Sequence, residues 1–204
     1  MELAWFRRPG DGDEGTTNLT YNAVDLPVIK GRSTDTAVTG AHEFSYAGLL
    51  EQVGALAGAM RGLGVLPGHH VGVQLADPAR ELLVLLAAAR VGATCVVLTG
   101  GRLEEFAPHL VVTDTELDFT GHVPQAVIVN GLEPADEARD LAWDIAIKAG
   151  RTDPAGCEPV SPRATAYVVD GLVAVGDALA DPSRFGTALS ALVSGTVLTL
   201  GDPA

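Results

Sequence analysis

The sequence has few basic residues and no long apolar run. Thirteen Lys and Arg residues face 26 Asp and Glu residues, so the formal net charge is -13. A chain this acidic is repelled by phosphate backbones and anionic lipids, and we therefore expect neither nucleic acid nor a membrane as its partner. The longest apolar run, residues 82–89, is far shorter than the roughly 20 residues needed to span a bilayer.

Cysteine is also scarce, because Cys95 and Cys157 are the only two in 204 residues. They are far apart and share no metal-ligand spacing, which excludes a disulfide framework and a cysteine metal site. Residues 1–15 lack the apolar core of a secretory signal. These absences predict a soluble, cytoplasmic protein that holds no metal, with Cys95 as a small core residue.

What the sequence does contain is enough apolar material for a core. Hydrophobic residues make up 47% of the chain, which excludes a disordered protein. Residues 9–17 are rich in Gly and acidic side chains, so residues 1–17 are predicted to be a flexible N-terminal segment. A single domain is predicted over residues 18–204.

Apolar periodicity in this domain alternates between strand and helix. Residues 49–60 form an apolar stripe at helical spacing, with Ser45 as the N-cap and Gly62 or Gly64 at the end. A second helix starts at Asp77-Pro78 and stops near Gly92. Further helices are predicted near 102–107, 135–149 and 182–194, and strands at 71–75, 94–98, 109–114, 125–130, 166–169 and 196–200. The alternation predicts an α/β fold with a mostly parallel sheet and helices on both faces.

Several stretches of the chain resemble one enzyme family. Residues 18–25 (NLTYNAVD) resemble the entry segment of acetyl- and propionyl-CoA synthetases. Residues 44–98, which include LGVLPGHHVGVQL and AAARVGATCVVL, are similar to the first block of the adenylate-forming, AMP-binding superfamily. Residues 143–169 resemble the segment just before the phosphate loop of that superfamily, and residues 185–204 a later helix and strand. The resemblance implies the first subdomain of an adenylate-forming enzyme.

Family members activate a carboxylic acid with ATP and usually pass the acyl group to coenzyme A, and they use a loop of Ser, Thr, Gly and Lys to hold the phosphates. This chain has Asp170 and Gly171 at that place, and no lysine after Lys148. A carboxylate near a triphosphate costs on the order of 1 to 4 kcal/mol per close pair. We therefore expect a truncated relative, a pseudoenzyme with no catalytic residue and no cofactor.

The missing neighbours of such a subdomain suggest a protein partner. Residues 171–200 contain very few charges, and an apolar surface beyond a few hundred Å² is a liability on a monomer. We expect a structural or regulatory subunit of an oligomer, more readily a hetero-oligomer than a homo-oligomer. Two alternatives stay open: a residual binder of an acyl, CoA or nucleotide ligand, and an enzyme whose site a partner chain completes.

Other candidate sites have weaker patterns. Gly100-Gly101 lies between a strand and a helix and is a weak candidate for an anion site, with a flexible turn as the alternative. Residues 194–196 (SGT) are interpreted as a helix end closed by glycine. The alternating acids at 114, 116 and 118 are expected to form a solvated edge rather than a cation site. The His69-His70 pair is expected in an exposed turn, with the other histidines scattered.

Overall fold

Two β-sheets and six α-helices make up the structure, a computed structural model that describes residues 6–201. The strands are β1 (Thr36–Thr39), β2 (Phe44–Ser45), β3 (His70–Gln74), β4 (Thr94–Val97), β5 (Leu110–Thr113), β6 (Ala126–Val129), β7 (Asp140–Ala142), β8 (Thr165–Val168), β9 (Leu172–Ala174) and β10 (Leu198–Thr199). The helices are α1 (Leu26–Ile29), α2 (Tyr46–Gly62), α3 (Pro78–Arg90), α4 (Arg102–Phe106), α5 (Trp143–Gly150) and α6 (Arg184–Ser194). A π-helical turn, Tyr21–Asp25, leads into α1.

The larger sheet has seven strands in the order β7-β6-β5-β3-β4-β8-β9. All neighbouring strands run parallel except β9, which pairs antiparallel with β8. The smaller sheet has the order β10-β1-β2. The predicted mostly parallel α/β fold is therefore confirmed.

The larger sheet is covered on both faces, as the sequence predicted. One face packs against α2, α3, α5 and α6 in the main apolar cluster. The other face presents a smaller set of buried valines and a leucine, against which Leu103 and Phe106 of the short α4 pack. Parallel strands buried on both faces need apolar residues at successive positions, and the burial of every residue in β4, β5 and β6 agrees with that rule.

Local capping fixes the two long helices at the places predicted from the sequence. The Ser45 hydroxyl accepts a hydrogen bond from the Gly48 N–H at the start of α2. The Asp77 carboxylate accepts bonds from the Ala79 and Arg80 N–H groups at the start of α3. Each cap satisfies a backbone donor that the helix leaves unpaired, which typically contributes about 1 kcal/mol.

The segment before α1 is tied into the domain through a buried asparagine. The Asn18 amide donates to the carbonyl oxygens of Ala89 (2.9 Å) and Glu158 (2.9 Å), and its Oδ1 accepts from the Tyr21 N–H (3.0 Å). Thr17 pairs with Val160 in both directions through backbone hydrogen bonds. These contacts hold the end of the segment predicted to be flexible; mobility itself stays a prediction, and residues 1–5 lie outside the described part.

Two sequence predictions of elements were wrong. The helix predicted at residues 135–149 is a turn, the strand β7 and only then α5. Asp140 is the reason, because its carboxylate accepts the N–H groups of Ala135 and Asp136 and so closes a turn where a helix was expected. The strand predicted at residues 196–200 does not join the larger sheet, since β10 pairs with β1 in the smaller one. None of the helices within residues 6–201 has the length and apolar character to cross a membrane.

Candidate functional site

The turn after β8 is the place where the family resemblance locates a phosphate loop. Here β8 and β9 form a tight hairpin, with Val168 opposite Leu172 and only Val169, Asp170 and Gly171 between them. The turn is closed by a hydrogen bond from the Val169 N–H to the Gly171 carbonyl oxygen (3.3 Å). Asp170 and Gly171 are exposed at the tip. The turn at residues 169–171 contains no hydroxyl and no cation, so its only charged group is the Asp170 carboxylate.

A cation that interacts with the charge of Asp170 is already paired. Arg184, the first residue of α6, makes a bidentate salt bridge to the largely buried Glu81 of α3, with N–O distances of 2.8 and 2.7 Å. The hydrogen bond with Glu81 raises the pKa of Arg184, burial opposes the change, and the charges of Glu81 and Asp170 add to it. The positive charge of this guanidinium is therefore balanced by two carboxylates of the same chain, those of Glu81 and Asp170.

The amino terminus of α6 is also occupied by the protein itself. The Asp181 carboxylate accepts hydrogen bonds from the Tyr167 hydroxyl (3.0 Å), the Ser183 N–H (3.3 Å) and the Ser183 hydroxyl. Burial and then the hydrogen bond and charge of Asp181 raise the pKa of Tyr167 well above its ordinary range. A helix amino terminus attracts anions. In α6 the Ser183 hydroxyl accepts the Gly186 N–H as the N-cap, and the Asp181 carboxylate hydrogen-bonds to Ser183.

Gly100-Gly101, the weak anion-site candidate, follows β4 at the same edge of the sheet. Both glycines have positive φ, +48° and +80°, so the turn needs the left-handed conformation that glycine adopts without strain. They precede α4, which has only five residues and a weak dipole. The geometry explains the glycines as a turn, and anion binding there stays a prediction.

A crevice of about 500 Å³ lies further along this edge, at the carboxyl ends of β3, β5 and β6. The chain leaves β3 towards β4 and leaves β5 in the opposite direction, so the crevice marks a topological switch point, where α/β proteins generally bind ligands. Arg80 stacks on the Trp143 ring, 5.3 Å from its centroid, and the Asp114 carboxylate accepts from the Ala76 N–H (2.7 Å). Asn130 and Asp144 complete its polar lining.

The structure separates the three alternating acids. Asp114 bonds to the Ala76 N–H, whereas Asp118 accepts from the Thr120 N–H, which lowers the pKa of Asp118. Within residues 6–201, no three His, Cys, Asp or Glu side chains are placed to hold a metal ion together. Glycine closure at residues 194–196 is confirmed, since Gly195 ends α6 with φ +79°.

The sequence predicted an exposed turn for His69-His70 and scattered positions for the other histidines, but His109 lies against His69. We call His69, His70, His109 and His122 the histidine cluster; it lies at the amino ends of β3 and β5. The rings of His69 and His109 have centroids 4.5 Å apart and are tilted by 32°. The other two hydrogen-bond to the backbone on either side of Ala107. The spacing of 39 residues between these two rings is why the sequence did not reveal them.

Comparison with known proteins decides the family. The profile of the AMP-binding enzyme family, described as "AMP-binding enzyme", matches residues 28–168. The chain belongs to the AMP-binding enzyme family. The matched region ends at Val168, the last residue of β8, two positions before Asp170.

Similar proteins include several acyl-CoA synthetases. An uncharacterised protein of Pseudomonas aeruginosa is 30% identical over 82% of this chain and 34% of its own length. The mitochondrial acyl-CoA synthetase short-chain family member 3 of Homo sapiens is 26% identical over 76% of this chain and 28% of its own. The acetyl-coenzyme A synthetase of Deinococcus radiodurans is 30% identical over 63% of this chain. The chain thus spans about a third or less of these AMP-binding relatives.

Solved structures agree on the fold. The acetoacetyl-CoA synthetase of Streptomyces lividans superposes with a TM-score of 0.69 and 20% identity, covering 92% of this chain and 38% of that structure. A coronafacic acid ligase of Pectobacterium brasiliense gives a TM-score of 0.75 at 13% identity and covers 91% of this chain. At such identities the likeness shows that the chain has the fold of an adenylate-forming enzyme.

Proposed function

We propose that this chain is a non-catalytic member of the AMP-binding family that serves as a structural or regulatory subunit of an oligomeric complex. The observation that supports it is the hairpin at Asp170. A three-residue turn with one carboxylate has neither the length to wrap a triphosphate nor the donors to bind it. Each carboxylate placed near a phosphate adds a repulsion on the order of 1 to 4 kcal/mol, where a lysine would add attraction.

The surroundings of the hairpin strengthen the proposal. A triphosphate at this edge of the sheet would need free cations or uncapped helix termini. Arg184 is paired with Glu81, and the start of α6 is capped by Ser183, which Asp181 holds by hydrogen bonds. The start of α3 is likewise capped by Asp77. Binding a phosphate here would require breaking contacts that the fold itself uses.

The free edge of the larger sheet supports a protein partner. The strand β9 ends the sheet, and within residues 6–201 no strand pairs with its outer edge. Leu172 on this strand is 70% exposed. The apolar side chains of α6 face inward, since Phe185, Leu189 and Leu192 are buried. We therefore place the proposed interface at β9, because an exposed edge strand with an apolar residue is a surface that another chain can cover.

ATP–pyrophosphate exchange tests the catalytic half of the proposal. We expect no exchange above background when the purified protein is given ATP, magnesium and acetate or propionate. The acetyl-coenzyme A synthetase of Deinococcus radiodurans, assayed in parallel, provides the positive control. Exchange by the protein alone would overturn the proposal. Exchange that appears only with a second chain would instead support the alternative in which a partner completes the site.

Native purification tests the subunit half. We expect the protein, when purified from its native cells, to co-purify with a second chain that mass spectrometry identifies. If no second chain is found, light scattering should show a homo-oligomer. A Leu172→Asp variant is expected to weaken that assembly, while Val123→Asp, a similarly exposed apolar residue on a loop away from β9, should not. A protein that travels alone and stays monomeric at micromolar concentration would contradict the subunit role.

The crevice supports the second candidate function, a residual ligand binder. Its volume lies within the 300 to 1,000 Å³ typical of small-molecule sites, and Arg80, which stacks on Trp143 and lies 3.6 Å from Asp77, is the cation in its lining. A bound ligand raises the melting temperature by mass action. Shifts with millimolar ATP, AMP, CoA or acyl-CoA that are lost in Arg80→Ala and kept in Arg102→Ala would favour this function. The absence of any shift would reject it.

A further inference from the structure

The histidine cluster contains one ring whose hydrogen bond requires it to be neutral. A backbone N–H can only donate, so the bond from the Leu66 N–H to His69 Nδ1 (3.3 Å) demands a lone pair on that nitrogen. His69 must therefore be the uncharged imidazole with its proton on Nε2. Protonation of Nδ1 would remove the acceptor and leave the Leu66 N–H without its partner.

The other three rings bond to carbonyl oxygens, which can only accept. His70 Nδ1 donates to the Phe106 carbonyl (2.6 Å) and His122 Nε2 to the Pro108 carbonyl (2.8 Å). His109 Nε2 donates to the Leu63 carbonyl (3.3 Å), just past the end of α2. These three bonds survive protonation of the rings, because a charged imidazole still donates from the same nitrogen. Of the four rings, therefore, only His69 loses its hydrogen bond when it is protonated.

Charge acts in the same direction on His69. The titratable groups that face its ring are His109, with its centroid at 4.5 Å, and its chain neighbour His70. Within residues 6–201, no carboxylate lies within ion-pair distance of any ring of the cluster; the one histidine that has such a partner is His42, with Asp77. Burial first, and then His109 and His70, lower the pKa of His69.

The segment beside the cluster has a strained backbone. Ala107 is the only non-glycine residue within 6–201 with φ in the left-handed region, at +43°, and it precedes a proline. Such a conformation costs of order 1–3 kcal/mol and persists only where neighbours enforce it. Ala107 is the C-cap of α4 and its N–H bonds to the Leu103 carbonyl, while His70 and His122 bond to the carbonyls on either side of it.

We propose that the histidine cluster is a pH-sensitive latch at the amino edge of the larger sheet. At neutral pH the uncharged His69 closes the Leu66–His69 turn and lies against the His109 ring. When the pH falls and His69 gains a proton, the Leu66 bond breaks and the His69 ring moves away from His109. The displacement reaches the strained Ala107 through His109, two residues away, and loosens the amino ends of β3 and β5. This inference is independent of the function proposed above.

Nitrogen-detected NMR of the full chain tests the latch. Long-range ¹H–¹⁵N spectra at pH 7.5 should show His69 as the Nε2–H tautomer and His70 as the Nδ1–H tautomer. On titration from pH 8 to 4.5, His69 should gain its proton below its ordinary pKa of about 6.5. The amides of Leu66 and His109 should shift with the same midpoint. A His69 that titrates at or above the ordinary value, or amides that do not follow it, would overturn the proposal.

Matched variants separate the latch from a general effect of acid. His109→Gln keeps a donor at the Nε2 position but removes the imidazole that lowers the pKa of His69, so that pKa should rise. His122→Gln makes the same replacement outside this ring pair and should leave that pKa unchanged. His69→Asn keeps an acceptor at the Nδ1 position but cannot be protonated, so the Leu66 amide should no longer move. Equal behaviour of His109→Gln and His122→Gln would contradict the latch.

Discussion

The two edges of the seven-stranded sheet differ in how their charged groups are satisfied. At the carboxyl edge, Glu81 is paired with Arg184, and Asp77 and Asp181 accept backbone N–H groups. At the amino edge, the histidine cluster bonds to backbone groups and has no carboxylate partner within residues 6–201. The charged groups named at the carboxyl edge are therefore paired within the chain, whereas the rings of the histidine cluster bond to backbone groups alone.

This difference bears directly on function. In α/β enzymes the carboxyl edge is the usual place for ligands and chemistry, which need groups that are free to interact. In this chain the groups beside the β8–β9 hairpin interact with one another instead. An edge whose donors and charges are internally paired stabilises the fold and leaves little with which to bind a phosphate.

The largest expected effect on stability comes from the close packing at the start of α6, at the carboxyl edge. A Cβ at Gly186 would lie 2.2 Å from the Asp181 carbonyl oxygen, a backbone atom that cannot turn away. Gly186→Ala should therefore lower the free energy of unfolding by about 3 kcal/mol, measured by urea denaturation. Gly171→Ala is the matched control, because a Cβ there meets nothing within 4 Å, and should change stability by less than about 0.5 kcal/mol. Equal effects would show that the edge is not rigidly packed.

A smaller effect is expected from the paired charges near the hairpin. Glu81→Ala removes a nearly buried partner and leaves the half-exposed Arg184 unpaired, which should cost about 1 to 2 kcal/mol. Glu51→Ala removes a partner of Arg151 in a pair that is exposed on both sides and should cost about 0.5 kcal/mol or less. A similar cost for the two variants in thermal denaturation would mean that the Glu81 pair does not stabilise this edge.

The smallest effects concern pH, and two groups at the amino ends of the strands, Asp140 and His69, should titrate in different pH ranges. Burial alone would raise the pKa of Asp140, but hydrogen bonds from Arg139 and from the Asp136 and Ala135 N–H groups lower it overall. A carboxylate with a lowered pKa stabilises the fold above its unfolded value of about 3.9, and the stability is lost as the pH falls through the folded value. Asp140→Asn should remove this acid-dependent loss.

His69 should respond at higher pH than Asp140. Because the pKa of His69 is lowered, its neutral form stabilises the fold above about pH 6.5, and that contribution is lost as the pH falls towards the folded value. Residue-resolved NMR should therefore show the amides near Leu66 moving before those near Asp140 as acid is added. The reverse order would contradict the directions in which the two pKa values are shifted.

Most of the fold could be predicted from the sequence because local signals were strong. The helices α2 and α3 have apolar stripes with polar caps at their first turns, and β3 to β6 are apolar runs between turns. The hairpin at Asp170-Gly171 was missed although Asp-Gly between apolar residues is a strong hairpin signal. The family resemblance points to a phosphate loop at that position, whereas the structure has a tight turn between β8 and β9.

The rest depended on contacts between distant residues. The apolar residues around β10 predict a strand, but they do not specify which strand it pairs with. The pairing of β10 with β1 therefore could not be predicted. Glu81 and Arg184 are 103 positions apart, and each alone looks like a solvated surface charge. The contact between the His69 and His109 rings follows from the pairing of β3 with β5. The sequence alone does not specify that these two strands are neighbours.

Direct binding of ATP is the measurement that tests the central claim most closely. Magnesium ATP titrated to 5 mM into the ¹⁵N-labelled protein should leave the amides of Tyr167, Val169 and Gly171 unmoved, with no saturable heat by calorimetry. Saturable binding together with shifts confined to the β8–β9 hairpin would contradict the proposal that this edge of the sheet does not bind the phosphates of ATP.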